Sequence, residues 1–434
     1  MIKNIEIRQL FGTYNYAIDL INDEHVCVMF GPNGYGKTTI LNIIYNIVSR
    51  NFWYFYFLKF MSIVIMFTDR KKISIEKKKE DKHFYKGRED EVTNEFAPQV
   101  EFKFFDGNGK EKETFSLNDK LLESYKSRYE LRTRLRRVDY EFKDFVQNEL
   151  KCEDLPLISK KCMSTCMYLR LCDCTIIRDQ RIIHDSYEKR VEPLRIKERR
   201  KFEIEYISSG LKDKFRKEQS DFAKWSQEID GDFINRLMKE HSRAYDKDLL
   251  KNKLGVIKQK IENFRRYDLL PEISIPDEYT QDANLQQSLS LYVEDMDKKL
   301  GKLDEFYSKL YLMDQLINGK CLSNKSIMLN GERGLYAIDD KGNEISLNKL
   351  SSGEQNLIIL YYNLVFNTKE GSVVLVDEPE NSLHVSWISD MLKDYIAIAK
   401  KMNCQVIFST HSPVFIDEYW DLTVNLFENS KQNA

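Results

Sequence analysis

Two apolar runs near opposite ends of the 434-residue chain predict buried strands. Residues 26–30 are Val-Cys-Val-Met-Phe and residues 372–376 are Ser-Val-Val-Leu-Val, so neither run alternates with charged residues. Continuous apolar runs of this length are typical of parallel strands that are covered on both faces. A helical apolar pattern follows the first run at residues 39–48, and another precedes the second at residues 356–366. The two ends together predict an α/β core.

An alternating pattern in the next part of the chain predicts an antiparallel β subdomain. Residues 61–67 pair well with residues 73–76 across a polar turn, and residues 100–105 pair with residues 113–117 across Asp-Gly-Asn-Gly. Matching runs on either side of a short turn are the sequence pattern of a β-hairpin. Residues 2–21 predict a further hairpin, which leads into the first apolar run.

The aromatic run from Phe52 to Phe67 imitates a membrane-spanning segment in its composition. Lys59 and Ser62 interrupt it, and it is shorter than the roughly 20 residues that a helical span needs. The polar, alternating start of the chain also lacks the pattern of a secretory signal. We therefore predict a cytoplasmic protein that has no membrane segment.

The middle of the chain is highly charged and helical in its pattern. Within residues 186–325, apolar residues recur at helical spacing. Among them are Leu250, Leu254, Ile257 and Ile261. The heptad pattern is not sustained, and Pro271 and Pro276 interrupt it. This favours a compact helical insertion over a long coiled coil.

The first apolar run ends in Gly-Pro-Asn-Gly-Tyr-Gly-Lys-Thr, residues 31–38. The pattern G-x-x-x-x-G-K-T between a strand and a helix predicts a phosphate-binding loop. Its glycines let backbone N–H groups face a phosphate, and the N-terminus of the helix adds positive potential. We expect Lys37 at the β- and γ-phosphates and the Thr38 hydroxyl on Mg²⁺. The predicted ATP-binding residues of this loop are Gly31, Pro32, Asn33, Gly34, Tyr35, Gly36, Lys37, Thr38 and Thr39.

The second apolar run ends in Asp377 and Glu378, which places two carboxylates at the carboxyl edge of the predicted sheet. Ligands bind at that edge in open α/β sheets. Alone, the pair is explained equally well as an acidic turn after a buried strand. Beside a phosphate-binding loop, Asp377 becomes the predicted Mg²⁺ ligand and Glu378 the residue that polarises the attacking water. The predicted cofactors are therefore ATP and Mg²⁺, and the predicted reaction is ATP hydrolysis.

Three further segments resemble motifs of ABC-type ATPases, in the form used by the SMC, RecF and OLD-like branch. Residues 350–355, Leu-Ser-Ser-Gly-Glu-Gln, resemble the signature motif, and residues 410–412, Thr-His-Ser, resemble the switch-histidine loop. Residues 380–384 resemble the D-loop. The resemblance covers both ends of the chain and much less of the middle. It implies an α/β fold of the ABC-type P-loop ATPase head, with a mixed sheet core and an antiparallel β subdomain, interrupted by a large helical insertion.

The resemblance also implies site residues outside the phosphate-binding loop. In this family two heads close face to face, and the signature of one head completes the ATP site of the other. Ser351, Ser352, Gly353 and Glu354 are then expected on the ATP of a neighbouring copy. His411 is expected to act as a catalytic residue beside the γ-phosphate.

Two further assignments leave alternatives open. Residues 174–181 resemble the Q-loop, which implies that Gln180 contacts Mg²⁺ and the attacking water. The alternative is a surface glutamine after a strand, and Gln99 is a second candidate. Tyr14 and Tyr16 are candidates for stacking on adenine, although packing within the first hairpin is the favoured interpretation.

The motifs divide the predicted head into five regions. They are an N-terminal ATPase lobe with the phosphate-binding loop and β subdomain (1–117), a helical segment (118–174), a Q-loop strand region (175–185), the helical insertion (186–325) and a C-terminal ATPase lobe (326–434). No structured segment is predicted beyond Phe427.

Composition adds two constraints. The net charge of −2 and pI near 6.4 give no overall bias toward nucleic acid, although a locally basic DNA-binding groove stays open. The eight cysteines form no disulfide framework, which favours a reducing compartment. Four of them are close in sequence, at positions 162, 166, 172 and 174, and their spacing allows zinc. Interleaved Met and Leu residues favour a packed helix and strand instead.

Three short sequence segments, residues 10–16, 177–181 and 377–384, resemble segments of the stand-alone ATPase subunits of bacterial anti-phage systems. The AriA-type ATPases of the PARIS system fit best, and the PtuA-type ATPases of Septu and retron systems are the alternative. The resemblance implies a homo-oligomer of paired heads, up to a hexamer. It also implies that this oligomer holds a separate AriB-like Toprim effector nuclease and releases it when a phage trigger protein binds.

Two other classes of ATPase stay open at this point. One is a DNA repair or recombination ATPase of the RecF or SMC type, which acts directly on DNA. The other is the ATPase subunit of a membrane transporter, which the Ser-Ser-Gly-Glu phrase and the long insertion disfavour. The sequence shows no Toprim-type or HNH-type metal cluster, so we expect no nuclease activity from this chain alone.

Overall fold

The structure of the protein is a computed structural model. It describes residues 1–79, 98–118, 121–122, 161–178, 181–182, 196–239, 245–273, 275, 283–320, 322, 324–380 and 385–433. Of the predicted segments, most of the helical segment 118–174 lies outside these residues.

Strands and helices are numbered along the described chain. The strands are β1 (Ile2–Leu10), β2 (Tyr14–Asp19), β3 (Val26–Phe30), β4 (Ser62–Phe67), β5 (Lys72–Lys79), β6 (Pro98–Phe105), β7 (Glu111–Leu117), β8 (Cys174–Arg178), β9 (Arg181–Ile182), β10 (Lys325–Asn330), β11 (Gly334–Asp339), β12 (Glu344–Ile345), β13 (Val373–Asp377), β14 (Gln405–Thr410) and β15 (Thr423–Asn425). The helices are α1 (Lys37–Val48), α2 (Trp53–Phe57), α3 (Met163–Leu171), α4 (Ile196–Lys239), α5 (Lys247–Arg265), α6 (Ala283–Gly301), α7 (Asp304–Asn318), α8 (Ser352–Phe366), α9 (Val385–Met402), α10 (Pro413–Ile416) and α11 (Leu426–Gln432).

Residues 1–189 and 368–434 form one compact unit, and residues 190–367 form another. The first unit therefore joins the two ends of the chain, while residues 326–367 belong to the second unit together with the helical insertion. The five-region division made from the sequence stays a prediction.

A six-stranded, mostly parallel sheet is the core of the first unit. Its strand order is β15-β3-β14-β13-β8-β9, and only the pair β8–β9 is antiparallel. The two apolar runs of the sequence are β3 and β13, separated by β14. Residues 373–376 are buried on both faces, so polar groups on β13 appear only where the strand ends. This order brings the carboxyl ends of β3, β14 and β13 side by side.

The second sheet of the first unit is antiparallel, in the order β2-β1-β4-β5-β6-β7. The three predicted hairpins are confirmed as β1–β2, β4–β5 and β6–β7. The aromatic run of residues 52–67 divides between α2 and β4, and Phe52 packs against Phe102 and Phe115 in the core. Within the described ranges, no helix combines the length and apolar character that crossing a membrane needs.

The side chain of Gln405 connects the two sheets of the first unit. It is fully buried at the start of β14. Its Oε1 accepts the N–H of Ile2 at 2.8 Å, and its Nε2 donates to the carbonyls of Ile2 and Leu20 at 2.8 and 2.7 Å. A buried amide with all its bonds made is stable, whereas its backbone partners would be costly to leave unpaired. The pattern of apolar residues gave no sign of this connection.

The second unit contains α4 to α8 and a three-stranded sheet in the order β10-β11-β12. The predicted helical insertion is confirmed, although α4 alone has 44 residues and is therefore about 66 Å long. Its backbone approaches β11 closely, because a Cβ at Gly334 would lie 2.3 Å from the Ser208 carbonyl oxygen. The Ser208 hydroxyl also donates to the carbonyl of Leu335 at 2.7 Å. This contact holds the long helix against the small sheet.

The predicted fold class is confirmed: the protein is α/β, with a mixed sheet core, an antiparallel β subdomain and a large helical region. One expectation was wrong. The chain beyond Phe427 is structured, because α11 continues to Gln432. The Asn429 side chain accepts the N–H of Ala17 at 3.0 Å and donates to its carbonyl at 2.8 Å. The helix was missed because it is polar and owes its place to this tertiary contact with β2.

We expect Gln405→Met to lower the free energy of unfolding by about 2–4 kcal/mol, because it leaves buried backbone groups of Ile2 and Leu20 without partners. Urea denaturation followed by circular dichroism measures the change. Gln432→Met is the matched control, since Gln432 is exposed at the end of α11. Equal stability of the two variants would contradict the connecting role of Gln405.

Candidate nucleotide-binding site

The predicted phosphate-binding loop lies between β3 and α1. Gly34 and Gly36 have φ angles of +90° and +80°, a conformation that costs a residue with a Cβ but not glycine. Gly36 also precedes the first turn of α1, where a Cβ would lie 3.0 Å from the Leu10 side chain. Glycine at this position is therefore required both by the backbone conformation and by the space available.

The loop offers unpaired donors to an anion. Among the described residues, no acceptor takes the backbone N–H groups of residues 33–38. These groups lie at the N-terminus of α1, which carries partial positive charge. Residues 32–34 are exposed. The residues present therefore fit a phosphate group.

Lys37 is the first residue of α1 and is buried. Its ammonium donates to the carbonyls of Gly31 and Pro32 at 2.8 and 3.1 Å, so it bridges the first two residues of the loop. Burial lowers the pKa of Lys37, and the nearby carboxylates of Glu378, Asp377 and Glu380 offset only part of this effect. A triphosphate would supply further negative charge, which stabilises the charged ammonium.

Asp377 joins three segments at the sheet edge. Its Oδ1 accepts a hydrogen bond from the Thr38 hydroxyl at 3.1 Å and another from the Ser409 hydroxyl. Asp377 and Ser409 are partners in the parallel register of β13 and β14. A carboxylate beside a threonine hydroxyl offers the oxygen ligands that Mg²⁺ prefers. The predicted Mg²⁺ residues are therefore adjacent, apart from Gln180, which lies outside the described residues.

Glu378 has a strained backbone. Its φ angle is +49°, which is uncommon for a residue other than glycine, and its N–H donates to the Ser409 carbonyl at 2.9 Å. Its carboxylate Oε1 lies 3.5 Å from Nδ1 of His411. Strain of this kind persists where the surrounding structure enforces it, and it is frequent at functional sites. The structure thus brings together the predicted water-polarising residue and the predicted switch histidine.

Glu380 is a second carboxylate beside His411. Its Oε1 accepts the Thr410 hydroxyl at 2.5 Å and lies 3.7 Å from Nδ1 of His411. The Glu380 side chain is only 7% exposed, and its Oε2 has no hydrogen-bond partner among the described residues. The rest of the predicted D-loop, residues 381–384, lies outside those residues. His411 itself is exposed and therefore accessible to a ligand.

Aromatic side chains surround Tyr35 of the phosphate-binding loop. Tyr16 is 2% exposed, and its hydroxyl donates to the Tyr35 carbonyl at 2.6 Å. Tyr14 and Phe427 lie beside the Tyr35 ring, at centroid distances of 5.2 and 5.6 Å. Because Tyr16 is buried, packing within the first hairpin is its role, which is the interpretation favoured from the sequence. Tyr14 is half-buried and stays a candidate for contact with adenine.

The predicted signature segment, residues 350–355, belongs to the second unit and begins α8. Ser351 and Ser352 are exposed at the N-terminus of this helix. Ser351 is the N-cap, and its hydroxyl accepts the N–H of Glu354 at 3.3 Å. In return, Glu354 Oε2 accepts the N–H of Ser351 at 2.6 Å, which completes a capping box. The segment therefore has a defined conformation without a nucleotide.

Internal contacts occupy the Glu354 carboxylate. The side chain is 6% exposed and forms an ion pair with Lys325 at 2.9 Å. Burial raises the pKa of Glu354, but hydrogen bonds from Lys325 and Ser351 outweigh it and hold the pKa below its ordinary value. Of the four signature residues assigned to ATP, Glu354 thus already has partners in its own chain. Its contact with ATP stays a prediction.

A family model described as AAA ATPase domain matches residues 1–416. The chain belongs to this family. No curated protein matched it. Family membership supports nucleotide binding and ATPase activity in general terms, usually with Mg²⁺.

Among the solved structures to which this chain is similar are two of an Smc head. One is the Smc head domain with an extended coiled coil bound to the C-terminal domain of ScpA, from Pyrococcus furiosus, with 12% identity and a TM-score of 0.34. The other is the SmcHead bound to the C-winged helix domain of ScpA, with 11% identity and a TM-score of 0.33. Each comparison covers 96% of this chain and 90% of the other.

The sequence did not predict the contacts of three side chains at these sites. Ser409 and Thr410 end β14, where they hydrogen-bond to Asp377 and Glu380. Their signal was available, since polar residues at the end of an apolar strand lie at the same edge as the carboxylates. Lys325 had no such signal, because it is 29 residues before its partner Glu354.

The clustered cysteines form no metal site with the residues the structure describes. In those ranges, no group of three or more His, Cys, Asp or Glu side chains could hold a metal ion. Cys162 and Cys166 are buried at the start of α3, with their sulfur atoms 3.5 Å apart. Cys172 and Cys174 are half-buried after that helix.

We expect Glu378→Gln to reduce ATP hydrolysis by about 10²–10⁴-fold, the usual contribution of a general base. Glutamine has nearly the same shape, so ATP binding should persist. Single-turnover hydrolysis and equilibrium ATP binding are measured on the same preparations. Glu370→Gln is the control, because Glu370 is exposed in the first unit. Near-normal hydrolysis in Glu378→Gln would show that another residue activates the water.

Proposed function

We propose that this protein binds and hydrolyses Mg-ATP at the carboxyl edge of its parallel sheet, with sites shared between two copies. The observation that carries the proposal is the convergence of Thr38, Asp377, Glu378 and His411 beside the phosphate-binding loop. These residues come from the start of α1 and from the carboxyl ends of the adjacent strands β13 and β14. A structural role alone gives no reason to gather an exposed histidine and two carboxylates beside a glycine-rich loop.

The phosphate-binding loop and the adjacent sheet edge have separate roles in binding the nucleotide. The backbone N–H groups of residues 33–38 cradle the phosphates, and Lys37 exchanges its carbonyl partners for phosphate oxygens. Thr38 and Asp377 would hold Mg²⁺, with Gln180 as the third candidate. When bound, Mg²⁺ neutralises charge on the phosphate oxygens. Ser409 keeps the Asp377 carboxylate oriented through its hydrogen bond.

Glu378 activates the attacking water in this proposal, and His411 contacts the γ-phosphate. The Glu378 carboxylate accepts a proton from the attacking water, and its strained backbone fixes the direction from which it acts. His411, 3.5 Å away, donates a hydrogen bond to the γ-phosphate. Glu380 holds the neighbouring Thr410 and so positions the loop that carries His411.

The signature segment contributes to the site of a second copy. Its two exposed serines lie at the N-terminus of α8, where helix charge and N–H groups favour an anion. The first unit carries the loop and carboxylates, and the second unit carries the signature segment. A face-to-face pair of copies, as in the ABC-type heads that the motifs resemble, uses both.

We expect Ser351→Arg to leave ATP binding to an isolated copy unchanged and to abolish most ATP hydrolysis, because arginine obstructs the face presented to the partner. The change also removes an N-cap, which costs about 1 kcal/mol. Ser351→Ala is therefore the control, since it loses the cap without the bulk. Isothermal titration measures ATP binding, ATPase assays measure hydrolysis, and light scattering measures the pairing of copies. Loss of ATP binding in Ser351→Arg would contradict the shared site.

For the biological role, we propose an ATPase subunit of a bacterial anti-phage system, of the AriA type. Support comes from the resemblance of residues 10–16, 177–181 and 377–384 to such subunits. In this role a homo-oligomer holds a separate Toprim-type effector nuclease and releases it when a phage trigger protein binds. The large helical region offers a surface for such partners.

We expect the purified chain to cleave neither plasmid nor tRNA with Mg²⁺ or Mn²⁺, and to co-purify from its native host with a nuclease. Nuclease assays and mass spectrometry of the co-purified proteins test this. A Lys37→Ala preparation of equal purity is the control for contaminants. Cleavage by the chain itself would contradict a separate effector. ATP hydrolysis stimulated by DNA, without any nuclease partner, would favour a DNA repair ATPase instead.

A further inference from the structure

The conformation of the signature segment depends on one carboxylate. Glu354 is buried, and its Oε2 accepts the backbone N–H of Ser351 at 2.6 Å. The return bond, from the Glu354 N–H to the Ser351 hydroxyl, completes the capping box. Such a box ties the backbone of the N-cap residue to the residue three positions later, because each side chain accepts the backbone N–H of the other residue. The presentation of Ser351 and Ser352 therefore follows the position of the Glu354 carboxylate.

Lys325 holds this carboxylate from the first residue of β10. Its ammonium lies 2.9 Å from Oε1 and 3.1 Å from Oε2 of Glu354, so both oxygens share one counter-charge. A buried carboxylate is strongly destabilised when its partner is removed. The Glu354 carboxylate is therefore expected to follow any displacement of β10, and to carry the Ser351 backbone with it.

Strand β10 is held in turn by α7 and by the end of α5. The side chain of Asn318, the last residue of α7, accepts the N–H of Ile327 and donates to its carbonyl, both at 2.8 Å. The same amide donates to Asp314 at 2.6 Å. Asp314 accepts from Arg266 at 3.0 Å and from Tyr267 at 2.8 Å, directly after α5. Hydrogen bonds thus run without interruption from these two helices to the strand that carries the lysine.

We propose that Lys325 is a positioning residue that sets the conformation of the signature segment according to the position of α5 and α7. The inference rests on the proposed function, because it concerns the segment that completes the ATP site of a second copy. Lys325 acts through Glu354 and does not touch the nucleotide. A partner that binds α5 or α7 then changes the rate of hydrolysis and leaves ATP binding at the phosphate-binding loop unaltered.

The first test is Lys325→Met, which keeps the length of the side chain and removes its charge. We expect kcat for ATP to fall on the order of tenfold, as is typical when a supporting residue of a site is lost. The affinity of an isolated copy for ATP should not change. Lys325→Arg should recover most of the activity, because a guanidinium can bind both carboxylate oxygens. Steady-state ATPase assays and equilibrium ATP binding measure these effects.

Two controls separate positioning from folding. Arg333→Met removes an exposed ion pair with Glu344 in the same three-stranded sheet, and it should leave kcat unchanged. The double variant Lys325→Met/Glu354→Met leaves no unpaired buried charge. We expect it to recover thermal stability but not kcat. Recovery of both together, or a normal kcat in Lys325→Met, would overturn the proposal.

The connection to the helices has its own test. Asn318→Ala breaks the bonds to Ile327 and Asp314 and should also lower kcat. Combined with Lys325→Met, its effect should be smaller than the product of the two single effects, since both act through the same strand. Independent effects would refute the connection. Wild-type protein with no more ATPase activity than Lys37→Ala would instead refute the proposed function.

Discussion

The site depends on hydrogen bonds to one carboxylate, that of Asp377. It receives the hydroxyl of Thr38 from the start of α1 and the hydroxyl of Ser409 from the end of β14. A carboxylate at the end of a buried strand needs such donors, because the interior of the sheet offers none. The same bonds bring the phosphate-binding loop to the edge where the acidic residues lie.

The charged side chains described at this edge suit a nucleotide with its metal. Asp377, Glu378 and Glu380 lie near the buried ammonium of Lys37, whose pKa burial lowers. The loop N–H groups have no acceptors among the described residues. A triphosphate supplies acceptors for the loop and the lysine, and a divalent cation supplies the charge that the carboxylates lack. The loop and Lys37 thus complement the triphosphate, and the carboxylates complement the divalent cation.

The second unit holds the signature segment through contacts with α4 and β10. The long helix α4 reaches the turn before it, where the Asn348 side chain donates to Glu205. Lys325, the first residue of β10, holds the Glu354 carboxylate in the first turn of α8. Because α4 belongs to the helical insertion, the insertion is joined structurally to the segment proposed to act on a neighbouring copy. The proposed mechanism therefore gives the insertion a role beyond a structural one.

The sequence by itself determined the parts whose signal is local: the apolar strands, the hairpins and the glycine-rich loop before α1. Backbone conformation and burial dictate those residues one by one, so spacing alone reveals them. Only the tertiary structure decided the pairing of Lys325 with Glu354, the burial of Gln405 and the docking of α11. These features join residues far apart in the chain, and a polar side chain carries no mark of its distant partner. The three-dimensional fold alone supplies that partner.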